Sequence, residues 1–464
     1  MSWNPLKSVL DSQECGGNAL PEYLPQLIEC IRENREDWIA GIDRSIDSAL
    51  EELLGESARA FWHDLPVESA TPPDGVIGTD GSQSDRILWS GSHWWVVRAV
   101  ALCGKHRTRL IDTGIAPSGL RDQDFQWYLS VKMEELEHKT ALEGLKQVDA
   151  EYVLLDGSLF GRLQHPPVES PVPSDRFLLL DYFDTILDLL EYCRNKNIGI
   201  IAVSKDSRAR HLVRHLARSA MNGAFNDMPA GTSAKIRMKA AEVLQGKRLP
   251  DEEIEDLFTN TRQETGKNWR NIERLVELGI QPVSDHVLMQ YLMRGKGYTS
   301  PLLLSMNPDT RSNFMAAFTD SMTYSRSRFR NAIKEAEDQR AVRKRISATL
   351  KRLERAPAIV SFHTRLHPRD TPLRIDLPSW MVEDKKKLWE PLQSEEIACN
   401  RDDVFEVLTG GYGGLQNYNI WQVRADAQAR LSRETVDSLY RDVLEKELGM
   451  RIEFERGYRR VYYP

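Results

Sequence analysis

The sequence predicts an α/β protein in which helices flank a mixed sheet, with a helical segment before the sheet and helical additions after it. Three strand-like runs joined by short turns lie within residues 76–114. Residues 122–204 then alternate between helical and strand-like periods. An Asp-Gly-Ser tripeptide follows two of the apolar runs, at Asp80 and at Asp156. These three observations predict one sheet with acidic residues at one edge.

Length, composition and charge limit the class of protein. At 464 residues the chain is long enough for two or three domains. Its 41% hydrophobic and 28% charged residues are typical of an ordinary globular protein. The net charge of −7 excludes a protein coated with positive charge for nucleic acid, so any DNA contact requires a local basic surface.

The sequence lacks the signals of a membrane or secreted protein. It contains no run of eighteen apolar residues and no apolar stretch of a secretory signal near its start. We therefore expect a cytoplasmic protein without a membrane partner. Five cysteines occur without a Cys-x-x-Cys pair, which predicts free thiols and no zinc site: Cys15, Cys30, Cys103, Cys193 and Cys399.

Residues 1–70 are predicted to form an N-terminal helical segment. Apolar residues there recur at spacings of three and four with charged residues between them. Residues 64–75 contain three prolines and end in Asp-Gly, so they are predicted to be a linker.

An antiparallel meander is predicted next, with strands at residues 76–79, 87–102 and 108–114. Its turns are expected at residues 82–86 and 104–107, which are polar or contain glycine. His93 and His106 lie in or beside the meander and are interpreted as ordinary strand or surface residues.

Helices and buried strands alternate after the meander. A helix is predicted over residues 122–146, with an apolar stripe that Glu137 borders. A strand at 152–155, a helix at 176–193 and a buried strand at 198–204 follow. This order resembles the ribonuclease-H-like fold, in which acidic residues from the first strand, the first helix and the fourth strand meet at one end of the sheet.

Asp80 and Asp156 are the first candidates for a site. Each is expected to end a strand, with Gly-Ser turning the backbone away. If the two strands are neighbours, the two carboxylates can share a divalent cation, as in metal-dependent phosphodiester cleavage. The alternative interpretation is that each tripeptide is only a turn or a helix N-cap.

The remaining chain is mostly helical, with one late hairpin. Helices are predicted at 234–244, 251–258, 284–293, 420–429 and 432–448, the last with Ser432 as N-cap, and strands at 358–366 and 373–377. Residues 410–414 form a glycine-rich turn without phosphate-loop spacing. Residues 324–355 are markedly basic, either as a solvated helix face or as a phosphate-tracking surface that includes Arg343 and Lys344.

Several motifs together resemble the NurA nuclease family. They are Asp80-Gly-Ser, the acidic helix, Leu154-Leu-Asp-Gly-Ser-Leu159, Val203-Ser-Lys-Asp206, Leu373-Arg-Ile-Asp-Leu-Pro378 and the segment 424–432. The resemblance covers about residues 76–439. It implies a ribonuclease-H-like core with a helical insertion over residues 76–310, which residues 311–464 complete with a basic helix, the late hairpin and C-terminal helices.

The resemblance implies a manganese- or magnesium-dependent nuclease that acts on single-stranded DNA and DNA ends. It also implies a homodimer that works with a HerA-type hexameric, DNA-translocating ATPase in DNA repair or antiphage defence. Asp80 and Asp156 match the aspartate ligands of the family. Glu137 is our choice for the helix glutamate, with Glu134, Glu135 and Glu143 as alternatives.

One departure concerns a fourth ligand. Asp426 stands where many family members carry a histidine, and a carboxylate can bind the same hard cation. Asp285 is the next candidate. With metal ions supplying the nucleophile no side chain need act as base, and Lys205 could neutralise charge on the phosphate. The rival hypotheses are a catalytically silent scaffold that docks an ATPase ring and an RNA slicer of the Argonaute type.

Overall fold

The computed structural model describes residues 24–42, 48–205, 207–226, 234–264, 269–280 and 283–454. The chain divides into two compact units, residues 1–49 and 50–464. In the first unit, α1 spans Leu24–Glu33 and α2 spans Arg35–Ile42. The predicted helical character of the N-terminal segment is confirmed in this part, while the predictions for residues 1–23 and 43–47 lie outside the described residues.

The second unit is built on one mixed sheet, which has 11 strands among the described residues. The strands are β1 (Trp62–His63), β2 (Val76–Ile87), β3 (His93–Cys103), β4 (His106–Ala116), β5 (Tyr152–Asp156), β6 (Gly199–Ser204), β7 (Gly297–Thr299), β8 (Leu302–Leu303), β9 (Ile359–Arg365), β10 (Leu373–Pro378) and β11 (Glu395–Glu396). Their main order is β1-β7-β9-β10-β6-β5-β2-β3-β4, and β8 joins β9 and β11.

The centre of this sheet has the predicted topology. Strands β2, β3 and β4 form the antiparallel meander, and β5 and β6 extend it in parallel from β2. Strands β5 and β6 are covered on both faces, which explains why their sequences are continuously apolar. The late hairpin β9–β10 joins the sheet through antiparallel pairing of β10 with β6. The fold prediction is therefore confirmed.

One predicted turn is wrong. Residues 82–86 lie inside β2, and the chain turns at Leu88–Ser92, where the Leu88 amide donates to the Ser92 carbonyl and Gly91 has a φ of +80°. The polar side chains of β2 stay in the strand because the C-terminal segment binds them. The Arg86 guanidinium contacts Asp437, and the Leu431 amide donates to Ser82 Oγ.

Helices cover both faces of the sheet and form the insertion. They are α3 (Ser48–Ala60), α4 (Asp122–Leu145), α5 (Leu159–Arg162), α6 (Leu178–Lys196), α7 (His211–Asn226), α8 (Ala234–Leu244), α9 (Asp251–Glu264), α10 (Trp269–Ile280), α11 (Asp285–Leu292), α12 (Pro308–Thr319), α13 (Ser321–Arg328), α14 (Arg330–Glu335), α15 (Gln339–Leu353), α16 (Asp402–Gly410), α17 (Ile420–Ala429) and α18 (Arg441–Leu448).

The last predicted helix is interrupted. A π-helical turn, Thr435–Tyr440, precedes α18, and Ser432 Oγ accepts a hydrogen bond from the Thr435 amide as the predicted cap. In the part of the chain that the structure describes, no helix is long and apolar enough to cross a bilayer. Cys30, Cys103, Cys193 and Cys399 are free thiols, as predicted.

Part of the basic segment 324–355 packs against α6. Arg345 lies in ion-pair contact with Asp181, and the Arg352 guanidinium reaches both Asp184 and Asp188. Arg343 Nη2 lies 3.4 Å from Gln339 Oε1 of the same helix, and Lys344 is exposed. The segment is thus partly an intramolecular surface, and DNA binding by Arg343 and Lys344 stays a prediction.

Candidate functional site

Asp80 and Asp156 lie level with each other on adjacent parallel strands. The register of β2 and β5 pairs Val76 with Tyr152 and Gly78 with Leu154. Asp80 lies two residues after Gly78, and Asp156 lies two residues after Leu154. Thr79 Oγ1 donates to the Leu154 carbonyl across this junction at 2.9 Å. The register thus places both carboxylates at the same edge of the sheet.

The two tripeptides reach this arrangement differently. At the second, Gly157 has a φ of +88°, so the chain turns away after Asp156, and Ser158 Oγ caps α5 by accepting the Gly161 amide. At the first, the expected strand end is wrong. β2 continues past Asp80 because its pairing with β3 persists where its pairing with β5 has stopped.

Gly81 is required for a different reason from the expected turn. A Cβ atom on Gly81 would lie 2.6 Å from Glu137 Oε1 and 2.9 Å from Met133 Cγ. Only glycine therefore lets α4 pack this closely over β2. The same contact brings the carboxylate of Glu137 beside Asp80, and Glu137 is only 2% exposed.

Arg162 holds Glu137 from the other side. Its guanidinium donates to Glu137 Oε2 and to the backbone carbonyl of Asp156, and Nη1 lies 2.7 Å from His138 Nε2. Arg162 is itself buried at the end of α5. This arginine thus links the helix glutamate to the turn that follows Asp156.

Helix α17 delivers Asp426. The helix packs against β2 so closely that a Cβ on Gly78 would lie 2.6 Å from the Trp421 carbonyl oxygen. Gln422 Nε2 donates to the Leu155 carbonyl at 2.9 Å, which ties the helix to the end of β5. Asp426 follows Gln422 by one helical turn, so both face the sheet edge. Its carboxylate also accepts from Arg430 Nη2 at 2.9 Å.

These side chains line one open cavity of about 610 Å³. Its acidic lining residues are Asp80, Glu134, Glu137, Asp156 and Asp426. Of the alternatives, Glu135 pairs with Lys132 at 3.1 Å, and neither it nor Glu143 lines the cavity. Asp285 lies elsewhere, fully buried, where its carboxylate accepts the amides of His211 and Val213 at the start of α7.

Lys205 and Tyr418 stand beside Asp156. Lys205 Nζ lies 3.5 Å from Asp156 Oδ1 and 4.6 Å from the centre of the Tyr418 ring. The Tyr418 hydroxyl oxygen is buried and has no hydrogen-bond partner among the described residues. Burial, and then the charges of Asp156, Asp80 and Asp426, raise the pKa of this hydroxyl, so the tyrosine is neutral and close to all three.

Comparison with known proteins identifies the family. Residues 74–405 match the family model described as the NurA domain. The chain belongs to the NurA family. The matched range contains Asp80, Glu137, Asp156 and Lys205 and ends before Tyr418 and Asp426. No curated protein sequence matches the chain.

Solved structures similar to this chain include the NurA nuclease from Sulfolobus solfataricus, with 13% identity, a TM-score of 0.49 and coverage of 92% of this chain and 98% of that one. A crystal structure of NurA bound to dAMP and manganese matches with 13% identity, a TM-score of 0.38 and coverage of 89% and 97%. Because these scores lie below 0.5, the assignment to NurA rests on the domain match.

The carboxylates of this NurA chain repel one another. Burial, followed by the charges of Asp156 and Glu137, raises the pKa of Asp80 to about 8. Burial also raises the pKa of Glu137 to about 7, although Arg162 opposes the shift. At Glu134 burial acts in the same direction, but the Arg162 charge and a hydrogen bond from His165 outweigh it and lower the pKa to about 2.

The donor set fits a divalent cation in its chemistry. Carboxylate oxygens are the ligands that Mn²⁺ and Mg²⁺ favour, and a cation would oppose both the burial and the repulsion that raise the pKa of Asp80. Within the described ranges, however, no group of three or more His, Cys, Asp or Glu side chains is already gathered around one point. Glu137 is hydrogen-bonded to Arg162 and Asp426 to Arg430 instead.

Sequence reasoning missed Arg162 and Tyr418 at this NurA site. Arg162 follows Asp156 by six residues in the turn that the tripeptide opens, and a cation so close to an acidic motif is a usable signal. Tyr418 precedes the N-cap of α17, Asn419, and no periodicity distinguishes it from other loop tyrosines. Its place is evident only when α17 is packed against β2 and β5.

Proposed function

We propose that this protein is a manganese- or magnesium-dependent deoxyribonuclease. The observation that carries the proposal is the level alignment of Asp80 and Asp156 on adjacent strands, with Glu137 against both of them in one open cavity. Membership of the NurA family supports the same activity. The cavity is open to solvent, which suits a flexible strand or a DNA end better than a rigid duplex.

In this proposal Asp80, Glu137, Asp156 and Asp426 hold the metal. A bound divalent cation lowers the pKa of the attacking water and stabilises negative charge on the phosphate. The chain itself supplies orientation: Arg162 fixes the Glu137 carboxylate, and Gln422 fixes the helix that carries Asp426. Such supporting contacts typically change metal affinity or activity by about 10–100-fold when they are lost.

Lys205 and Tyr418 complete the proposed site on the side of Asp156. Lys205 is about two-fifths exposed and contacts Asp156 at 3.5 Å, so its ammonium group can face a substrate phosphate when a cation binds the carboxylate. The stacked Tyr418 ring limits the positions of Lys205, and its unpartnered hydroxyl can donate a hydrogen bond to an oxygen in the cavity.

We further propose the setting that the family resemblance implies. The protein acts on single-stranded DNA and DNA ends as a cytoplasmic homodimer, with a HerA-type hexameric ATPase that translocates the DNA, in end processing or antiphage defence. Residues 76–310 would be the core of the NurA domain and residues 311–464 would complete it. Arg343 and Lys344 are proposed contacts to the DNA backbone.

The test is cleavage of labelled single-stranded DNA by the purified chain with Mn²⁺. Asp80→Asn and Asp156→Asn should each lower the cleavage rate by at least about a hundredfold. A residue that binds the metal directly affects the rate more than the residues that only orient it. Asp122→Asn, an exposed residue at the start of α4 outside the cavity, is the matched control and should cleave normally.

Two results would reject the proposal. Cleavage at the normal rate by the Asp80→Asn, Asp156→Asn double variant would exclude this site. Absence of Mn²⁺-dependent cleavage by the unchanged protein, alone and with its ATPase, would favour the silent scaffold. Labelled RNA of the same sequence, run in parallel, separates the DNA nuclease from the RNA slicer.

A further inference from the structure

A second cavity, of about 260 Å³, lies beside α7. Its lining is strongly basic and includes Arg208, Arg210, His211, Arg214, His215 and Arg218. Arg214 and Arg218 are separated by one helical turn and therefore project from the same face of α7. We call this space the arginine cavity.

Within the described part of the chain, no carboxylate forms a direct ion pair with the arginines of the arginine cavity, although Asp285 lies close enough to Arg210 and Arg214 to favour their charged forms. Arg210 donates to the backbone carbonyls of Leu278, Gly279 and Val283 at 2.6–3.1 Å. Arg218 donates to the Ser394 carbonyl. These carbonyl partners fix the guanidinium groups but are neutral, so among the described residues only the charges of Asp285 and Glu395, which make no direct contact with them, offset the positive charge.

Arg214 is the least satisfied of these side chains. Its Nε atom is buried without a hydrogen-bond partner. Its guanidinium lies flat against Gly246, where a Cβ would be 2.5 Å from Nη1. Burial lowers the pKa of Arg214, and likewise those of Arg210 and Arg218, because the charge of Asp285 or Glu395 does not outweigh the loss of solvation.

The fully buried arginines of this chain show both kinds of environment, since Arg365 donates only to neutral oxygen atoms of α11 and the residue that follows it. Arg162 contacts Glu137, and Arg374 contacts Asp376 at 2.8 Å. The arginine cavity differs from these isolated sites because several guanidinium groups line one open space. An anion from outside the chain would provide a directly bonded counter-charge, and arginine binds phosphate oxygens through two parallel hydrogen bonds.

The arginine cavity adjoins the acidic cavity. Lys205, which contacts Asp156, is three residues before Arg208, and three residues span at most about 11 Å. Phe160 of α5 packs edge-on against His211 at 5.1 Å. Within the same turn, Gln164 lines the arginine cavity whereas Arg162 lines the acidic one. Residues 161–164, at the end of α5 and just after it, thus lie between the two cavities.

We propose that the arginine cavity binds a phosphate group of the DNA strand whose scissile phosphate occupies the acidic cavity. This inference rests on the proposed nuclease function, since it names how the substrate strand is held. The arginine cavity would bind one phosphate of the strand, and the strand would be cleaved at another phosphate in the acidic cavity. The acidic cavity alone, with its net negative lining, would repel DNA before a metal binds.

The experiment measures binding of a labelled single-stranded oligonucleotide to the full chain in EDTA, across a series of salt concentrations. Arg214→Gln should weaken binding about tenfold at low salt and reduce the slope of log K against log salt by about 0.7, the loss of one phosphate contact. Arg214→Lys, which keeps the charge, should retain the slope. Arg274→Gln, an exposed arginine on α10, is the matched control and should behave as the unchanged chain.

Equal affinity and equal slope for Arg214→Gln and the unchanged chain would overturn the proposal. If inorganic phosphate raises the unfolding temperature of the unchanged chain but not of Arg214→Gln, while DNA binding is the same for both, the cavity takes a free phosphate and the proposal is also wrong. Binding is measured without metal, so the result does not depend on cleavage. If the proposed nuclease function is wrong, the unchanged chain would bind DNA but would not cleave it when Mn²⁺ is added.

Discussion

Asp80 combines burial with the charges of two neighbouring carboxylates. It is 7% exposed, and Asp156 and Glu137 both oppose its ionisation. A charge in this position is unfavourable for the folded chain unless a cation or a proton accompanies it. The ionised form of Asp80 therefore lowers the stability of the metal-free folded chain.

We predict that Asp80→Asn stabilises the metal-free chain at alkaline pH. The folded pKa is about 8 against an ordinary value of 3.8, so between these values the folded chain holds a proton that the unfolded chain has lost. The free energy of unfolding then falls as the pH rises through this window. The variant lacks the titrating group, so its unfolding free energy should exceed that of the unchanged chain. We expect this difference to be larger at pH 8 than at pH 5, by at least about 1 kcal/mol.

Urea unfolding in EDTA at the two pH values measures this difference. Asp122→Asn, exposed on the first turn of α4, should show no such dependence on pH. A stability difference between Asp80→Asn and the unchanged chain that is the same at pH 5 and pH 8 would contradict the prediction. It would mean that the folded chain does not bind the extra proton.

At the level of secondary-structure elements, the site depends on the close packing of helix α4 against strand β2. It depends on the absence of a side chain at Gly81, because a Cβ there would overlap both Glu137 and Met133. Met133 and Glu137 are four residues apart and so face the strand together. Any group added at Gly81 must push the carboxylate of Glu137 away from Asp80.

Gly81→Ala should therefore lower Mn²⁺-dependent cleavage by about a hundredfold, the typical effect of a displacement of about 1 Å at a reacting centre. Far-ultraviolet circular dichroism should remain that of the unchanged chain. Gly223→Ala, in α7 with nothing within 4 Å of the added carbon, is the control and should gain about 0.5–1 kcal/mol of stability. Normal cleavage by Gly81→Ala would show that α4 can move without harm to the site.

The sequence predicted most elements because their signals are local. The apolar stripe of α4 and the continuous apolar runs of β5 and β6 each lie within one segment. The full length of β2 could not be predicted, because its polar half is held by Asp437 and Leu431, some 350 residues away. Tyr418 was missed for the same reason, since only tertiary packing brings it to the carboxylates, whereas the position of Arg162 six residues after Asp156 was a local signal.

At the scale of the whole molecule, the net charge of −7 says little about how DNA would be bound. In the basic helix α15, Arg345 and Arg352 form ion pairs with acidic residues of α6. The arginines of the arginine cavity form no direct ion pair within the described residues, and the cavity lies next to a cavity lined by carboxylates. The local arrangement of charge, rather than its sum, is what could guide a strand.

Both cavities are made only of residues from the second unit, 50–464, and this predicts the behaviour of a shortened chain. Helix α1 has no buried residue, whereas Leu54 and Ala58 of α3 are fully buried. A chain that starts at Ser48 should therefore fold and retain Mn²⁺-dependent cleavage of single-stranded DNA at a rate within about threefold of the full chain, since no buried contact of α1 is lost. The same shortened chain with Asp80→Asn is the control and should be inactive. Aggregation of the shortened chain, or cleavage reduced to the level of that control, would show that residues 1–47 contribute to the fold or to the site.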